Sequence, residues 1–271
     1  MQVLYNIFSY TFLTRALIVG VLVCLCASLL GVSLVLRRYS MIGDGLSHVG
    51  FGALSIAACL NTAQLPVTII ITIISAFFIL KITQKSKLNG DSIIAVISTG
   101  ALAIGVMFIS LTKGINTDLN NYLFGSILAM SDIDMIFCIL LSIIVLILFI
   151  VFYNRIFSVT FDEDFSKATG INTDLYNMLL AILTAITIVL GMRLMGAMLI
   201  SSLIIFPALS SMQIFKTFKS VTIFSAVLSV VCYIIGFILS YILSAPTGAS
   251  IVCVNLFALI ISSIISKIKK V

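Results

Sequence analysis

Nine apolar runs, each about the length of a membrane crossing, follow one another along this 271-residue chain with only short polar breaks between them. They are Leu13–Leu36, Ile42–Leu60, Leu65–Ile82, Ile93–Leu111, Met135–Phe152, Tyr176–Met192, Met195–Ile214, Val221–Leu243 and Ala249–Ile268. A helical crossing takes about 20 apolar residues. In hydrocarbon the backbone must satisfy its own N–H and C=O groups, so such runs become helices. Composition agrees: 62% of residues are hydrophobic and 9% charged, with a mean hydropathy of +1.32. A soluble domain with so little polar surface could not cover its own core. The expected fold is all-α, a polytopic transmembrane helix bundle forming a single domain over residues 1–271. The first run is too long for a cleaved signal segment and is read as a retained span.

The stretch from Tyr176 to Ile214 is interrupted only by Arg193. As one helix it would be about 58 Å long, nearly twice the hydrocarbon thickness. It therefore folds back at Gly191–Gly196, giving nine spans; a re-entrant segment there would give eight. Basic residues set the orientation. With the Asp162–Gly170 loop in the cytoplasm, that side holds Arg37, Arg38, Lys81, Lys85, Lys87, Arg155, Lys167, Lys216, Lys219, Lys267, Lys269 and Lys270. Only Arg15, Lys113 and Arg193 remain outside, so the N-terminus is out and the C-terminus in. The net charge of +6 is thus a topological signal and no argument for nucleic acid.

Inside the second run stand Asp44 and the chain's one histidine, His48. At i and i+4 their side chains share one helix face, a turn apart. A charge near the bilayer centre costs about 2.5–3.5 kcal/mol on the insertion scale, so such residues line a pathway or hold a partner. A carboxylate and an imidazole so placed can supply two ligands to a borderline divalent cation such as zinc or manganese. The other reading puts Asp44 at the helix end near water and gives His48 a neighbouring carbonyl. Gly43, Gly45, Gly50 and Gly52 lack dinucleotide-binding spacing and read as close-packing positions, with Ala53 and Ala57.

Two segments do not span. Asn116–Met130 places Leu119, Tyr122, Leu123, Ile127 and Leu128 at helical spacing, which fits a short interfacial helix on the outer side. Phe161–Asn172 is the sizeable polar loop of the cytoplasmic side. Asp162, Glu163 and Asp164 suit the first turn of a short helix, and Gly170 its C-terminal cap. Such a surface helix suits either partner docking or a solvated turn.

Other chemistry is excluded or weak. No P-loop, H-E-x-x-H or G-x-S-x-G is present, so an enzyme with its own ATPase or hydrolytic site is not expected. The six cysteines lie in apolar segments without metal-site spacing and read as packing residues. Met192, Met195 and Met198 offer thioethers to a soft metal, but methionine also fills gaps in apolar cores. Arg193 could meet a headgroup or an acidic partner. Pro207 is read as a kink or break of its helix.

With these residues in view, the chain resembles the membrane permeases of the bacterial zinc/manganese/iron ABC importers. R-R-Y-S-M-I-G-D-G-L-S-H (Arg37–His48), L-F-G-S-I-L (Leu123–Leu128) and F-D-E-D-F-S-K-A-T-G (Phe161–Gly170) match family blocks in order. G-A-M-L-I-S-S-L-I-I-F-P-A (Gly196–Ala208) and P-T-G-A-S-I-V (Pro246–Val252) complete the set. The resemblance implies a multi-pass protein of the bacterial inner membrane, two copies forming the pathway, and ATP-binding subunits on the cytoplasmic face. It further implies an extracytoplasmic metal-binding protein that delivers the ion. It carries metal contact onto Asp44 and His48. It carries ATPase coupling onto a loop at about 161–172, with Asp162, Glu163, Asp164, Phe165, Ala168, Thr169 and Gly170. No permanent cofactor is implied; the cargo is a divalent metal ion, zinc first and manganese or iron next. A secondary cation transporter running without ATP is the rival, but inverted repeats are not evident and the acidic loop would be unexplained. A permease for a larger chelate would have less use for an Asp/His pair, and a non-transporting scaffold none.

Overall fold

The computed structural model describes residues 11–85, 90–111 and 132–269. The segment Asn116–Met130, with its Leu123–Leu128 motif, and Lys87, Lys113 and Lys270 lie outside the described residues. The described residues form eleven helices: α1 Thr11–Leu36, α2 Ile42–Cys59, α3 Gln64–Lys85, α4 Gly90–Leu111, α5 Asp132–Val151, α6 Tyr153–Phe161, α7 Glu163–Ala168, α8 Thr173–Met195, α9 Ala197–Ile214, α10 Phe218–Leu243 and α11 Thr247–Lys269. Eight are long and apolar enough to cross a membrane, and the apolar part of α9, Leu199–Ile214, is a shorter ninth. The all-helical bundle expected from the apolar runs is what forms.

Several helices start a turn earlier than their apolar runs. Asp91 lies in the first turn of α4, and Asp132 and Asp134 in that of α5. Carboxylates are favoured there by the free N–H groups and the positive end of the helix dipole. The fold-back expected over Gly191–Gly196 is confined to Gly196, since α8 runs on through Gly191 to Met195. Gly196 has φ 91° and ψ 157°, a region essentially closed to other residues. From there α9 returns: Ile200 packs on Gly191, Ile204 on Gly31, and Ala208 joins Val32 and Phe218. α9 also continues through Pro207. The residue is therefore not a break in the helix; its missing N–H only deprives the Leu203 carbonyl of its usual donor.

Ion pairs mark the two ends of the bundle. At one, Arg15 of α1 pairs with Asp132, and Arg193 of α8 with Asp134 at 3.1 Å. At the other, Arg37 beyond α1 reaches Glu163 of α7, while Tyr153 and Phe157 of α6 stack on Phe218 of α10. The basic-residue distribution assigns the second end to the cytoplasm.

Within the bundle, polar side chains close on backbone. Thr68, Thr72, Thr184 and Thr187 each donate to the carbonyl four residues earlier. Between α1 and α10, Tyr233 Oη donates to the Ala16 carbonyl at 2.8 Å and Ser229 Oγ to that of Cys24 at 3.3 Å. Where no water competes, these bonds satisfy groups that would otherwise be costly to bury.

α2 is the central element. It is the least apolar of the eight crossing helices, yet 78% of it is buried, against 22% for α4 and α5. A lipid-facing helix needs apolar side chains; one enclosed by protein can spend positions on glycine and polar groups. Glycine is what its packing uses. Gly45 meets Ile94, and at Gly52 a Cβ would stand 2.6 Å from the Ala101 carbonyl oxygen. Gly43 faces Ile204, and Gly50 faces Met192 and Thr72. Gly52→Ala is expected to cost about 1–3 kcal/mol through forced separation of α2 and α4. Gly100→Ala, mid-helix and with nothing within 4 Å of a Cβ, should instead be neutral or stabilising by up to about 1 kcal/mol. Thermal unfolding of the detergent-solubilised variants measures both.

Candidate functional site

The packing glycines of α2 are buried, while toward its N-terminal end one strip is left open. Met41, Asp44 and His48 lie along it, partly or largely exposed in the single chain. Asp44 is in the first turn of α2. The side chains of Asp44 and His48 are 43% and 18% exposed, and His48 Nε2 stands 3.8 Å from Asp44 Oδ2. That is too long for a hydrogen bond. Nδ1 of His48 is buried without a hydrogen-bond partner among the described residues. The reading in which His48 bonds a neighbouring carbonyl is therefore not what the structure holds. Two donors each about 2.1 Å from a tetrahedral ion stand about 3.4 Å apart. Closing the present gap needs only a small side-chain adjustment, so the pair can present one nitrogen and one oxygen to a cation. Among the described residues no group of three or more His, Cys, Asp or Glu side chains is placed to hold a metal ion.

The other candidates fall elsewhere. Met192 and Met195 are each 2% exposed and belong to the apolar core, Met192 against Phe51, Leu54 and Ala197; the side chain of Met198 lies outside the described residues. Arg193 does not reach outward as a free cation but is bound to Asp134. Together they sit beside an apolar cavity of about 550 Å³ between the start of α3 and α5. Cys24, Cys26, Cys138 and Cys232 are buried, Cys253 is exposed, and all are free thiols.

The polar loop forms the short helix its sequence announces. Asp162 caps α7, its side chain accepting from the Phe165 N–H at 2.8 Å. Glu163 and Asp164 follow in the first turn. At the other end Ile171 N–H bonds the Ser166 carbonyl and Gly170 N–H that of Lys167, both at 3.0 Å, with Gly170 at φ 82°. This is the paired closure that favours glycine just beyond a helix. Ser166 is buried and meets Ser158 of α6, so the opposite side faces outward. There Asp164, Phe165, Ala168 and Thr169 are exposed, Phe165 by 62%.

One residue of this region had a sequence signal that reveals nothing of its role. Arg37 was legible as an inside-positive charge and as part of a motif. Its side chain is in fact only 10% exposed and donates to Glu163 Oε2 at 2.6 Å and to Oδ1 of Asn177 on α8. Its partners lie 126 and 140 positions away, beyond any local spacing rule.

The comparisons accord with this arrangement. A bundle of crossing helices with a polar strip on its central helix and a capped surface helix at one end is the architecture of a membrane permease. The model of the ABC 3 transport family matches residues 9–266, and the chain belongs to that family. It is 30% identical over 253 residues to the High-affinity zinc uptake system membrane protein ZnuB of Haemophilus influenzae, covering 93% of this chain and 97% of that protein. It is also 30% identical to the Manganese transport system membrane protein MntC of Halalkalibacterium halodurans, covering 94% and 88% of the two chains. Among solved structures, PsaBC from Streptococcus pneumoniae in complex with Fab matches with a TM-score of 0.86 and 28% identity, over 96% of this chain and 94% of that one. The chain is thus a multi-pass permease of the bacterial inner membrane, from a family whose ATPase activity resides on separate subunits.

The α7 attachment has a pH signature. Burial would raise the Glu163 carboxyl, but the Lys167 hydrogen bond and the charges of Arg37 and Lys167 outweigh it and hold the group below its ordinary value of 4.5. A depressed carboxylate contributes stability in full above its unfolded value and loses it as pH falls through the lower folded value. A spin label at Ala168 should therefore keep its mobility at neutral pH and loosen only below about pH 4.5. In Asp162→Ala, with the cap lost at a cost of about 1 kcal/mol, it should be looser at every pH.

Proposed function

We propose that this chain forms the translocation pathway of an ATP-driven importer of a divalent transition metal, with Asp44 and His48 as the residues that touch the ion. The observation that carries this reading is the strip on α2. On a helix otherwise packed closely through its glycines, a carboxylate and an imidazole stand together, with His48 Nδ1 unpartnered. Ionisable groups within a membrane bundle are rare, face its interior or a water-filled cavity, and mark ion pathways. Relatives named for zinc and for manganese match equally well, and an oxygen–nitrogen donor pair suits both metals. Zinc is the first choice, because two copies of the pair, one from each of two subunits, supply the four ligands of tetrahedral zinc; manganese and iron follow. The ligation is transient: donors replace part of the hydration shell while the ion passes, and too tight a site would trap it.

The same reading gives α7 its task. Its exposed face of Asp164, Phe165, Ala168 and Thr169 docks into a cleft of an ATP-binding subunit, and an extracytoplasmic metal-binding protein delivers the ion at the Arg193 end. Closure of the ATPase pair then rocks the helices as rigid bodies.

The test is metal uptake by proteoliposomes holding this chain with its ATPase and binding protein, comparing zinc, manganese and iron with and without ATP. ATP-dependent uptake of one ion is expected. His48→Ala and Asp44→Asn should each lower it by about tenfold or more while assembly stays intact. Wild-type uptake by a correctly assembled His48→Ala protein overturns the ligand assignment, and gradient-driven uptake without ATP overturns the importer class.

A further inference from the structure

Arg37 occupies a place that neither the metal pair nor the docking face accounts for. A guanidinium only 10% exposed is costly to bury unless its donors are used. Here they are used by two different elements. One nitrogen donates to Glu163 on α7, and another to Asn177 on the first turns of α8. The guanidinium also lies over the Tyr39 ring, 5.7 Å from its centroid. Arginine's planar fork can hold two such partners in fixed directions, which a lysine ammonium cannot.

The chain between Arg37 and α2 is stiff. Arg38 N–H bonds the Val35 carbonyl at 3.1 Å and Tyr39 N–H that of Leu34 at 2.9 Å. Arg38 itself is at φ 60°, a conformation that costs a non-glycine residue about 1–2 kcal/mol and persists only where the surroundings fix it. Ile42 N–H then bonds the Tyr39 carbonyl at 3.0 Å, and Gly45 N–H that of Met41 at 3.0 Å. Two closed turns thus lead from Arg37 to the residue after Asp44. Beneath them lies a crevice of about 10 Å³, lined by Arg37 and Tyr39 together with Leu46 of α2, Leu80 of α3 and Leu180 of α8. That crevice has little room for a water-sized group, and packed interiors transmit displacement rather than damp it.

We infer that Arg37 is the positioning residue through which movement of the docking helix α7 reaches α2, and with it Asp44 and His48. When α7 is displaced by its partner, the Glu163–Arg37 bond draws the α1–α2 turn with it, and the ligand strip turns relative to its surroundings. This rests on the permease reading above. It goes beyond it by naming the residue, outside both the docking face and the ligand pair, that joins them.

The experiment reconstitutes the complete transporter and measures metal ions imported per ATP hydrolysed, together with binding of the ATPase subunit to the permease. Arg37→Gln should bind the ATPase as the wild type does, yet import about tenfold fewer ions per ATP, and Glu163→Gln should show the same loss per bound ATPase. The double variant should be no worse than either single one, because both break the same link. Arg37→Lys, which keeps the charge but not the fork, should recover part of the ratio. A wild-type ratio in assembled Arg37→Gln overturns the inference. So does a loss explained by weakened ATPase binding, which would make Arg37 a docking residue, and so does a double variant whose losses multiply. Should Arg37→Gln fail to insert, Glu163→Gln, changed at the surface end of the same bond, decides alone. Failure of the wild-type complex to import any metal with ATP would instead sink the permease reading.

Discussion

The structure depends on how closely α2 can be approached by its neighbours. A helix carrying a carboxylate and an imidazole cannot face lipid along its length, and a helix of bulky apolar residues could not be enclosed tightly enough to hold that pair in one orientation. Glycine resolves both demands. At Gly52 the α4 backbone comes so near that a Cβ would stand 2.6 Å from a carbonyl oxygen, and Gly105 of α4 returns the contact. Without a hydrophobic force between helices in lipid, close backbone approach and interhelical hydrogen bonds supply the association. The surrounding helices can then remain strongly apolar on their outer faces, as α4 and α5 do.

This division of labour explains the amount of fold that was legible in the sequence. Apolar runs announce every crossing, because the hydrocarbon thickness fixes their length. They do not announce where helices begin: Asp91, Asp132 and Asp134 look like loop residues to a hydropathy reading and are first-turn residues in the structure. Nor do they fix the fold-back. Gly191 and Gly196 both looked suitable, but Gly191 is needed for close packing against Ile200, which leaves the turn to Gly196. Pro207 does not break its helix, since an apolar helix surrounded by others tolerates a missing bond that a solvated one would yield to.

The site divides along a similar line. Asp44 and His48 were legible because i and i+4 is a local rule, and α7 because capping residues at both ends are local too. That the pair lies on the open strip of α2 was not legible, since it depends on which neighbours the glycines admit. The Arg37–Glu163 bond was further out of reach. Inside-positive charge explained Arg37 sufficiently for topology, and nothing in its surroundings in the chain points to a partner 126 residues away. The Arg193–Asp134 pair was hidden for the same reason.

The number of donors in the strip bears on what the site is for. A carboxylate and an imidazole 3.8 Å apart, with no third ligating side chain beside them among the described residues, make a poor storage site: structural metal sites use four protein ligands and hold their ions tightly. A conduit has the opposite requirement, since an ion that replaces all its water at once must regain it all to leave. On the proposed reading each chain would contribute only two donors, so neither chain alone would hold the ion fully. Donors shared between two chains would also let the match between ion and site be altered by small relative movements of the helices that bear them. A stiff turn joining α2 to the end where α7 sits is useful for such a site and useless for one that merely binds. The shortage of ligands and the rigidity of the turn therefore support the same reading, in which affinity at the strip is controlled from the surface instead of being fixed by the strip itself.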